Sequence, residues 1–408
     1  MTYIKDSLKI SLLNFKALIK WIVVAALVGF IGGVIGSIFH ISIDLATELR
    51  EHNSYVIFLL PLGGLVIAFL YNLCKKQGHI DTNRVLEAIR QDEKVPFVMA
   101  PLIFISTVIT HLFGGSAGRE GAALQLGGSI GYKLGKVLKL NKNDMHIVVM
   151  SGMSGVFAAL FGTPLTAMFF SLEVTKVGEM YYTGLVPCLV SSYIAYFVAL
   201  LFKIGPVRFD SIAFETLEFD VILKVAFLAV FCALVSILFC VAIKRSEHYM
   251  KRFIKNNYFR ALFGGALIVI LTLLLGTHDY NGAGMDIIAK AMSGNARYEA
   301  FLLKIIFTVI TISAGFKGGE IVPTFFIGST FGCVFGSLLG LDASFAAQIG
   351  FVSLFCGVVN CPVASLILAL EVFGSDSIFL FAVAVCISYM LSGRYSLYKS
   401  QEFVNSKI

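Results

Sequence analysis

The chain has 408 residues, of which 58% are hydrophobic and only 14% are charged, and its mean hydropathy is +0.86. These values exclude an ordinary soluble domain and a disordered chain, because neither carries so much apolar sequence. We therefore expect an integral membrane protein in the cell membrane. The net charge of +7 does not indicate nucleic-acid binding, because the basic residues are spread among loops instead of covering one face.

Long stretches without any Asp, Glu, Lys or Arg are the strongest membrane signal. A helix needs about 20 such residues to cross the hydrocarbon, and the chain offers them near residues 21–43, 182–202, 225–243 and 261–276. Other apolar runs are shorter and broken by glycine or proline, which is typical of partial membrane helices. By the positive-inside rule, basic clusters face the cytoplasm and the acidic loops face outside. The basic clusters lie at residues 5–20, 75–76, 133–142 and 244–255, and the acidic loops at 48–52 and 210–220.

The amino-terminal part of the chain predicts four elements. Lysines among apolar neighbours in residues 1–20 indicate an amphipathic cytoplasmic segment or, equally, a basic flank of the first span. A helix over residues 18–46 carries glycines that let another helix approach closely, and a second span follows at residues 55–74. Residues 81–91, DTNRVLEAIRQ, are too short and polar to span, and we favour a surface helix that begins at capping residues.

The rest of the chain divides into two transmembrane repeats, residues 21–205 and 221–408, with an outer loop at 206–220 between them. In the first repeat, Gly162 and Pro164 are predicted to break one apolar segment into two short helices. In the second repeat, residues 360–362 are predicted to do the same. A polar stretch at residues 281–295 predicts a re-entrant or surface helix.

A glycine cluster at residues 114–135, GGSAGREGAALQLGGSIGYKLG, holds the pair Arg119 and Glu120 between two apolar runs. A charge at membrane depth costs between about 2.5 and 17 kcal/mol, so such residues usually line a path or face a partner. Glu120 is therefore a candidate functional residue. A structural salt bridge between the two is the alternative, which we favour for Arg119 itself.

Two stretches of the second half repeat the first. Residues 116–121, SAGREG, match residues 313–318, SAGFKG, and TPLTAMFFSLEV at 163–174 matches CPVASLILALEV at 361–372. Interrupted helices at matching positions of two halves indicate a transporter site near the middle of the membrane. A helix start presents unpaired N–H groups and about half a positive charge, so several starts that meet there would hold an anion.

At these residues the chain resembles the CLC family of chloride channels and anion/proton antiporters. GREGAALQLGG at residues 118–128 is similar to the family's GREGP segment, KGGEIVP at 317–323 to its GxFxP region, and SGRYSLYKSQ at 392–401 to the region of its central tyrosine, here Tyr398. The resemblance implies an all-α integral membrane fold, built as an inverted repeat of tilted and partial helices. It also implies a homodimer with one pathway in each subunit.

By this resemblance, Glu120 is the gating glutamate, whose carboxylate competes with the anion for backbone N–H groups and leaves when it is protonated. The implied anion-binding residues surround it in the two glycine segments and at the central positions. They are Thr82, Gly118, Arg119, Gly121, Gly318, Gly319, Ile321, Val322 and Tyr398.

Three departures from the chloride-type pattern resemble the fluoride/proton antiporter branch of the family. Thr82 stands where chloride-type members carry the central serine, and Glu320 replaces an apolar residue. The inner proton-transfer glutamate falls on Val174, and the neighbouring Glu173, like Glu371 in the second half, is predicted to be structural. A protonated second carboxyl at Glu320 suits small fluoride; alternatively, Glu320 only accepts bonds from its own helix start.

The leading prediction is a proton-coupled halide transporter that exports fluoride. A chloride/proton antiporter or chloride channel of the same fold is the alternative, and a non-transporting membrane scaffold is a third hypothesis. Halide and protons are the expected partners, and we expect no enzyme activity, no cofactor, no metal and no nucleic acid.

Overall fold

The computed structural model describes residues 2–74, 81–91, 93–210, 218–404 and 407, and of residues 2–5 and 7–9 it describes the backbone only. Sixteen α-helices lie in these residues. The first eight are α1 (Thr2–His52), α2 (Leu60–Leu73), α3 (Thr82–Arg90), α4 (Met99–Leu112), α5 (Glu120–Val137), α6 (Lys142–Phe161), α7 (Pro164–Glu173) and α8 (Leu185–Leu201). The second eight are α9 (Phe219–Phe253), α10 (Asn257–Leu275), α11 (Met285–Met292), α12 (Ala300–Ala314), α13 (Ile321–Leu338), α14 (Ala343–Val359), α15 (Pro362–Phe373) and α16 (Ile378–Leu391).

The remaining regular structure is short. Two 3-10 helices, Ser54–Leu59 and Tyr182–Gly184, precede α2 and α8, and β1 (Lys176–Val177) pairs in parallel with β2 (Glu402–Phe403). The predicted outer loop is described at residues 206–210 and 218, while 211–217 and the predicted cytoplasmic pair 75–76 lie outside the described residues.

The predicted helix breaks are confirmed in both halves. Helix α6 stops before Gly162, which has a left-handed φ of 73°, and α14 stops before Asn360, whose φ is 56°. Both residue types tolerate this conformation at the end of a helix. The next helices then begin with Pro164 and Pro362, where a missing N–H is harmless. The correspondence of residues 163–174 with 361–372 is therefore correct.

The other predicted correspondence is wrong by four residues. Gly118 pairs across the two halves with Gly319 and not with Gly315. The error arises because the tripeptide Ser-Ala-Gly has a different structural position in each half. In the second half Ala314 ends α12 and Gly315 caps it, whereas in the first half α4 has already ended at Leu112.

Seven helical stretches of the described chain are long and apolar enough to cross a bilayer. They are Ile10–His52, Ser54–Leu73, Lys142–Phe161, Tyr182–Leu201, Phe219–Phe253, Asn257–Leu275 and Ile321–Leu338. Shorter apolar helices accompany them at Met99–Leu112, Ala300–Ala314, Ala343–Val359, Pro362–Phe373 and Ile378–Leu391. The mixture of full and partial spans predicted from the sequence is thereby confirmed.

The predicted boundary at residue 20 is not a structural break. Helix α1 runs without interruption from Thr2 to His52, and no glycine or proline occurs before Gly29. At about 1.5 Å per residue it is about 76 Å long, more than twice the roughly 30 Å of hydrocarbon. Part of α1 therefore extends beyond the hydrocarbon, and its residues 10–20 are exposed.

The surface location predicted for residues 81–91 is wrong. Asp81 caps α3 as expected, since its side chain accepts from the Arg84 N–H at 3.2 Å, but Val85, Leu86 and Ile89 are completely buried. Gly128 makes room for this helix, because a Cβ built there would lie 2.2 Å from a methyl carbon of Val85. Helix α3 is therefore part of the protein interior beside α5.

Glycines set the spacing of the central helices. A Cβ on Gly152 of α6 would lie 2.2 Å from the carbonyl oxygen of Gly127 in α5, and one on Gly350 of α14 would lie 2.1 Å from that of Gly328 in α13. Both halves thus use the same backbone-to-backbone contact, which only glycine permits.

We expect Gly152→Ala to destabilise the protein, because the added methyl group would force α5 and α6 apart. Overpacking of this kind costs about 1–3 kcal/mol. The measurement is the fraction that stays monodisperse after heating in detergent. Gly205→Ala is the matched control, because no atom lies within 4 Å of a Cβ built at Gly205. Equal heat resistance of both variants would contradict the assigned contact.

Candidate functional site

The two halves meet at a short antiparallel bridge. The Gly118 N–H donates to the Gly319 carbonyl at 2.7 Å, and the Gly319 N–H donates to the Gly118 carbonyl at 2.6 Å. The N–H groups of Gly118 and Gly319 therefore already have hydrogen-bond acceptors. In this structure the two glycines fix the crossing, and free N–H donors for an anion have to come from the residues that follow them.

Those residues open α5 and α13. The first N–H groups of a helix have no partner within it, which applies to Glu120 and Gly121 in α5 and to Ile321 and Val322 in α13. The two starts lie together, because a Cβ built on Gly121 would be 2.8 Å from the Cα of Gly319. The convergence of helix starts predicted from the broken repeat is present.

Glu120 lies at this meeting point with only 1% of its surface exposed. Its Oε2 accepts a hydrogen bond from the Arg119 N–H at 3.2 Å, and its Oε1 lies 3.7 Å from the Arg119 Nε. The Arg119 guanidinium also donates to Asp44 of α1 at 2.8 Å. Arg119 is therefore a salt-bridge residue that holds the loop before α5, as we favoured, while the Glu120 carboxylate faces the crossing.

A cavity of about 520 Å³ reaches the crossing from one side, and we call it the outer cavity. Its lining residues include Asp44, Glu48, Arg50, Glu51, His111, Arg119, Asp286 and Val322. Glu48 and Glu51 belong to the acidic segment 48–52, which is predicted to face outside as a loop but forms the last turn of α1 in the structure.

A second cavity of about 390 Å³ reaches the crossing from the other side, and we call it the inner cavity. Its lining residues include Tyr71, Thr82, Gln125, Lys244, Glu247, Lys251, Lys317, Gly318, Glu320, Tyr398 and Lys399. Lys244 and Lys251 belong to a basic cluster that is predicted to face the cytoplasm.

The two cavities approach the crossing at residues that are close together in the sequence. Gly318 and Glu320 line the inner cavity, and Val322 lines the outer cavity. Glu120, in the adjacent helix start, lines neither of them because it is buried between them. The Glu120 side chain is therefore buried at the crossing that both cavities approach.

Glu320 lies close to α5. Its Oε2 would be 3.3 Å from a Cβ built on Gly121, the residue after Glu120. Two carboxylates thus flank the same pair of helix starts, one buried between the cavities and one in the wall of the inner cavity. Both cannot be ionised there without strong repulsion.

Tyr398 brings an unused donor to the inner cavity. It is 4% exposed, and its hydroxyl has no hydrogen-bond partner among the described residues. A buried donor without an acceptor calls for a bound water or ion. Thr82 lies in the same wall, where its Oγ1 accepts from the Gln125 Nε2 at 2.9 Å.

Glu173 and Glu371 have the structural role predicted for them. Glu371 accepts from the N–H groups of Leu165 and Thr166 at 2.9 and 2.8 Å, at the start of α7. Glu173 accepts from the N–H groups of Val363 and Ala364 at 3.3 and 3.0 Å, at the start of α15. Each carboxylate caps a helix of the other half. Val174, on which the inner proton-transfer glutamate falls, is a completely buried apolar side chain.

Sequence reasoning missed Asp44, Gln125 and Lys317. Asp44 is the partner of Arg119, Gln125 that of Thr82, and Lys317 lines the inner cavity. Gln125 and Lys317 carried a signal, because each is a polar side chain within an otherwise apolar or glycine-rich stretch. Asp44 carried none, because it lies near the end of a long helix where polar residues are expected.

Paired helix starts around a buried acid, with a cavity on either side, define a membrane protein that transports ions. The chain belongs to the CLC family: the family model for voltage-gated chloride channels matches residues 63–393. It is a multi-pass membrane protein of this family.

Relatives and solved structures agree with that assignment. The chain is 34% identical to a chloride/fluoride channel protein of Pseudomonas syringae pv. tomato over 395 residues, which cover 95% of this chain and 87% of that one. It is 24% identical to an H⁺/Cl⁻ exchange transporter of Vibrio cholerae, with 99% and 94% covered. A crystal structure of a CLC-type fluoride/proton antiporter matches with a TM-score of 0.91 at 30% identity, covering 95% of this chain and 98% of that one.

More distant structures share the fold. A slow cyanobacterial Cl⁻/H⁺ antiporter matches with a TM-score of 0.76 at 18% identity, covering 91% of this chain and 94% of that chain.

We expect Glu371→Gln to lower the stability of the protein, because an amide nitrogen would then face N–H donors at the start of α7. Loss of a charged cap of this kind costs on the order of 1–3 kcal/mol. The measurement is the thermal unfolding midpoint in detergent. Glu299→Gln is the control, because Glu299 lies at the start of α12 without a capping hydrogen bond. An unchanged midpoint for Glu371→Gln would show that the contact is not needed.

Proposed function

We propose that the protein exports fluoride across the cell membrane in exchange for protons. The observation that carries this proposal is the buried carboxylate of Glu120 between two cavities, at helix starts whose N–H groups attract an anion. A carboxylate and an anion compete for the same donors. Protonation removes the negative charge of Glu120 and weakens its interaction with these N–H donors. The movement of a proton and the movement of an anion therefore become linked.

The residues of the inner cavity give the anion its route to that point. An anion that enters from the cytoplasm meets the unpaired hydroxyl of Tyr398 and then the starts of α5 and α13. Once Glu120 takes a proton from the outer side, it releases the helix starts and the anion occupies them. Glu120 then releases its proton toward the inner cavity, whose wall holds Glu320, and its carboxylate displaces the anion toward the outer cavity.

Glu320 supports fluoride as the substrate. A carboxylate in the wall of the anion path would repel the anion, so Glu320 has to be protonated when the anion passes. A protonated carboxyl donates a short hydrogen bond, and such a bond is strongest with a small, concentrated charge. The similarity to a relative named for chloride and fluoride, and to a fluoride/proton antiporter structure, supports the same choice.

We also propose that the protein assembles as a homodimer with one pathway in each subunit. The family relationship supports this assembly. The described residues of one chain already form both cavities and supply both carboxylates. The proposed path in each subunit therefore uses side chains of that subunit alone.

The substrate is tested with purified protein in liposomes loaded with potassium fluoride or potassium chloride. We expect rapid fluoride efflux that drives proton uptake, and much slower chloride efflux. Halide electrodes and a pH-sensitive dye inside the liposomes measure the two fluxes. Chloride efflux equal to or faster than fluoride efflux would support the chloride/proton alternative, and fluoride efflux without proton uptake would make the protein a channel.

We expect Glu120→Gln and Glu320→Gln to abolish proton-coupled fluoride transport, because neither side chain would then bind and release a proton. Loss of a proton-transfer group reduces rates by about a hundredfold or more. The same liposome assay at several external pH values measures the effect. Glu48→Gln in the outer cavity is the control and should keep most of the activity. Wild-type coupled flux in Glu120→Gln would remove the role assigned to Glu120, whereas no flux of either halide through the wild-type protein would favour the non-transporting scaffold.

A further inference from the structure

Lys317 belongs to the loop that forms the crossing of the two halves. Its own N–H donates to the Thr110 Oγ1 at 3.3 Å, which fixes the backbone against α4. The next residue, Gly318, is packed so closely that a Cβ there would lie 2.5 Å from the Cβ of Ala117. The base of the Lys317 side chain is therefore held rigidly, and its ammonium lines the inner cavity three residues before Glu320.

The Lys317 ammonium forms no ion pair and no hydrogen bond with any described residue. It lies over the ring of Tyr71, with the centroid 4.3 Å from the Nζ, and the acids Asp81, Glu247 and Glu320 line the same cavity. The Tyr71 hydroxyl is buried and also has no hydrogen-bond partner among the residues that the structure describes. A cation over an aromatic face gains only about 0.5–2 kcal/mol, which does not replace a counter-ion.

Most of the other cationic side chains that line the inner cavity already have a hydrogen-bond partner. Lys251 and Lys399 both donate to Glu247, at 2.5 and 2.6 Å. Arg260 donates to the Asn257 side chain at 2.8 Å. Lys244 also lacks such a partner, but it belongs to α9 and not to the loop of the crossing. Among the described residues that line the inner cavity, Lys317 is therefore an unpaired cation in the loop that leads to the start of α13.

We propose that Lys317 captures the anion in the inner cavity before the anion reaches Tyr398 and the helix starts. This inference rests on the proposed function, and it names the side chain that receives the substrate on the cytoplasmic side. The ligand is a small, hard anion such as fluoride, because a compact ammonium binds a concentrated charge well and no ion pair with a described carboxylate has to be broken first. From the Lys317 ammonium, the bound anion then moves on toward Glu320 and the start of α13.

Capture by a charge predicts a particular kinetic signature. A positive group in a narrow cavity raises the local concentration of anions, and the effect weakens as ionic strength rises. Removal of that charge should therefore raise the KM for fluoride on the cytoplasmic side. It should leave the maximal rate and the proton-to-fluoride ratio nearly unchanged, because Lys317 takes no part in proton transfer.

The test uses Lys317→Met, which keeps the length of the side chain, and Lys317→Arg, which keeps the charge. Lys290→Met is the matched control, because Lys290 is a lysine in the wall of the outer cavity. Fluoride is titrated on the cytoplasmic side of liposomes that hold the full protein in a single orientation, at low and at high ionic strength. Tyr71→Leu, which removes the ring under the ammonium, provides a second perturbation of the same site.

We expect Lys317→Met to raise the KM at least about tenfold at low ionic strength, with a smaller increase at high ionic strength. Tyr71→Leu should raise it in the same direction, while Lys317→Arg and Lys290→Met should stay near the wild type. A wild-type KM in both Lys317→Met and Tyr71→Leu would overturn the proposal. So would an Arg variant as impaired as the Met variant, because that result would assign a packing role.

The wild-type protein separates this inference from the function it rests on. If the wild type moves chloride and not fluoride, the fluoride proposal fails, and the same titration with chloride decides the role of Lys317. If the wild type moves neither halide, both proposals are overturned.

Discussion

Unpaired backbone groups are costly within a bilayer, and the structure depends on how it satisfies them where the two halves meet. Gly118 and Gly319 exchange two short hydrogen bonds, which bring α5 and α13 together at their starts. The N–H groups that follow remain without helical partners. The same geometry that completes the backbone of the glycines therefore leaves an electropositive point inside the protein, and Glu120 is the group that occupies it.

Residues that end one helix and start the next made much of the fold predictable from the sequence. Gly162 with Pro164, and residues 360–362, end and restart helices through their own backbone preferences, so the breaks required no knowledge of the rest of the chain. The buried role of α3 was not predictable in this way. Its polar composition suits a surface helix equally well, and only the missing side chain of Gly128 in a distant helix makes room for it.

The site was predictable in its charges and less so in its contacts. Glu120 and Glu320 stood out because an acidic residue in an apolar or glycine-rich membrane segment is costly and therefore indicates a function or a partner. The roles of Gly118 and Gly319 depended on which residues pair across the repeat, and a four-residue slip in the alignment of the halves hid that pairing. The partners Asp44 and Gln125 come from other helices, and sequence spacing carries no information about such contacts.

The reciprocal caps at Glu173 and Glu371 have a consequence for biosynthesis. The start of α7 is completed by an acid that the ribosome adds some two hundred residues later, and the start of α15 needs an acid made much earlier. Neither of these two helix starts can therefore obtain its carboxylate partner until both halves of the chain have been synthesised.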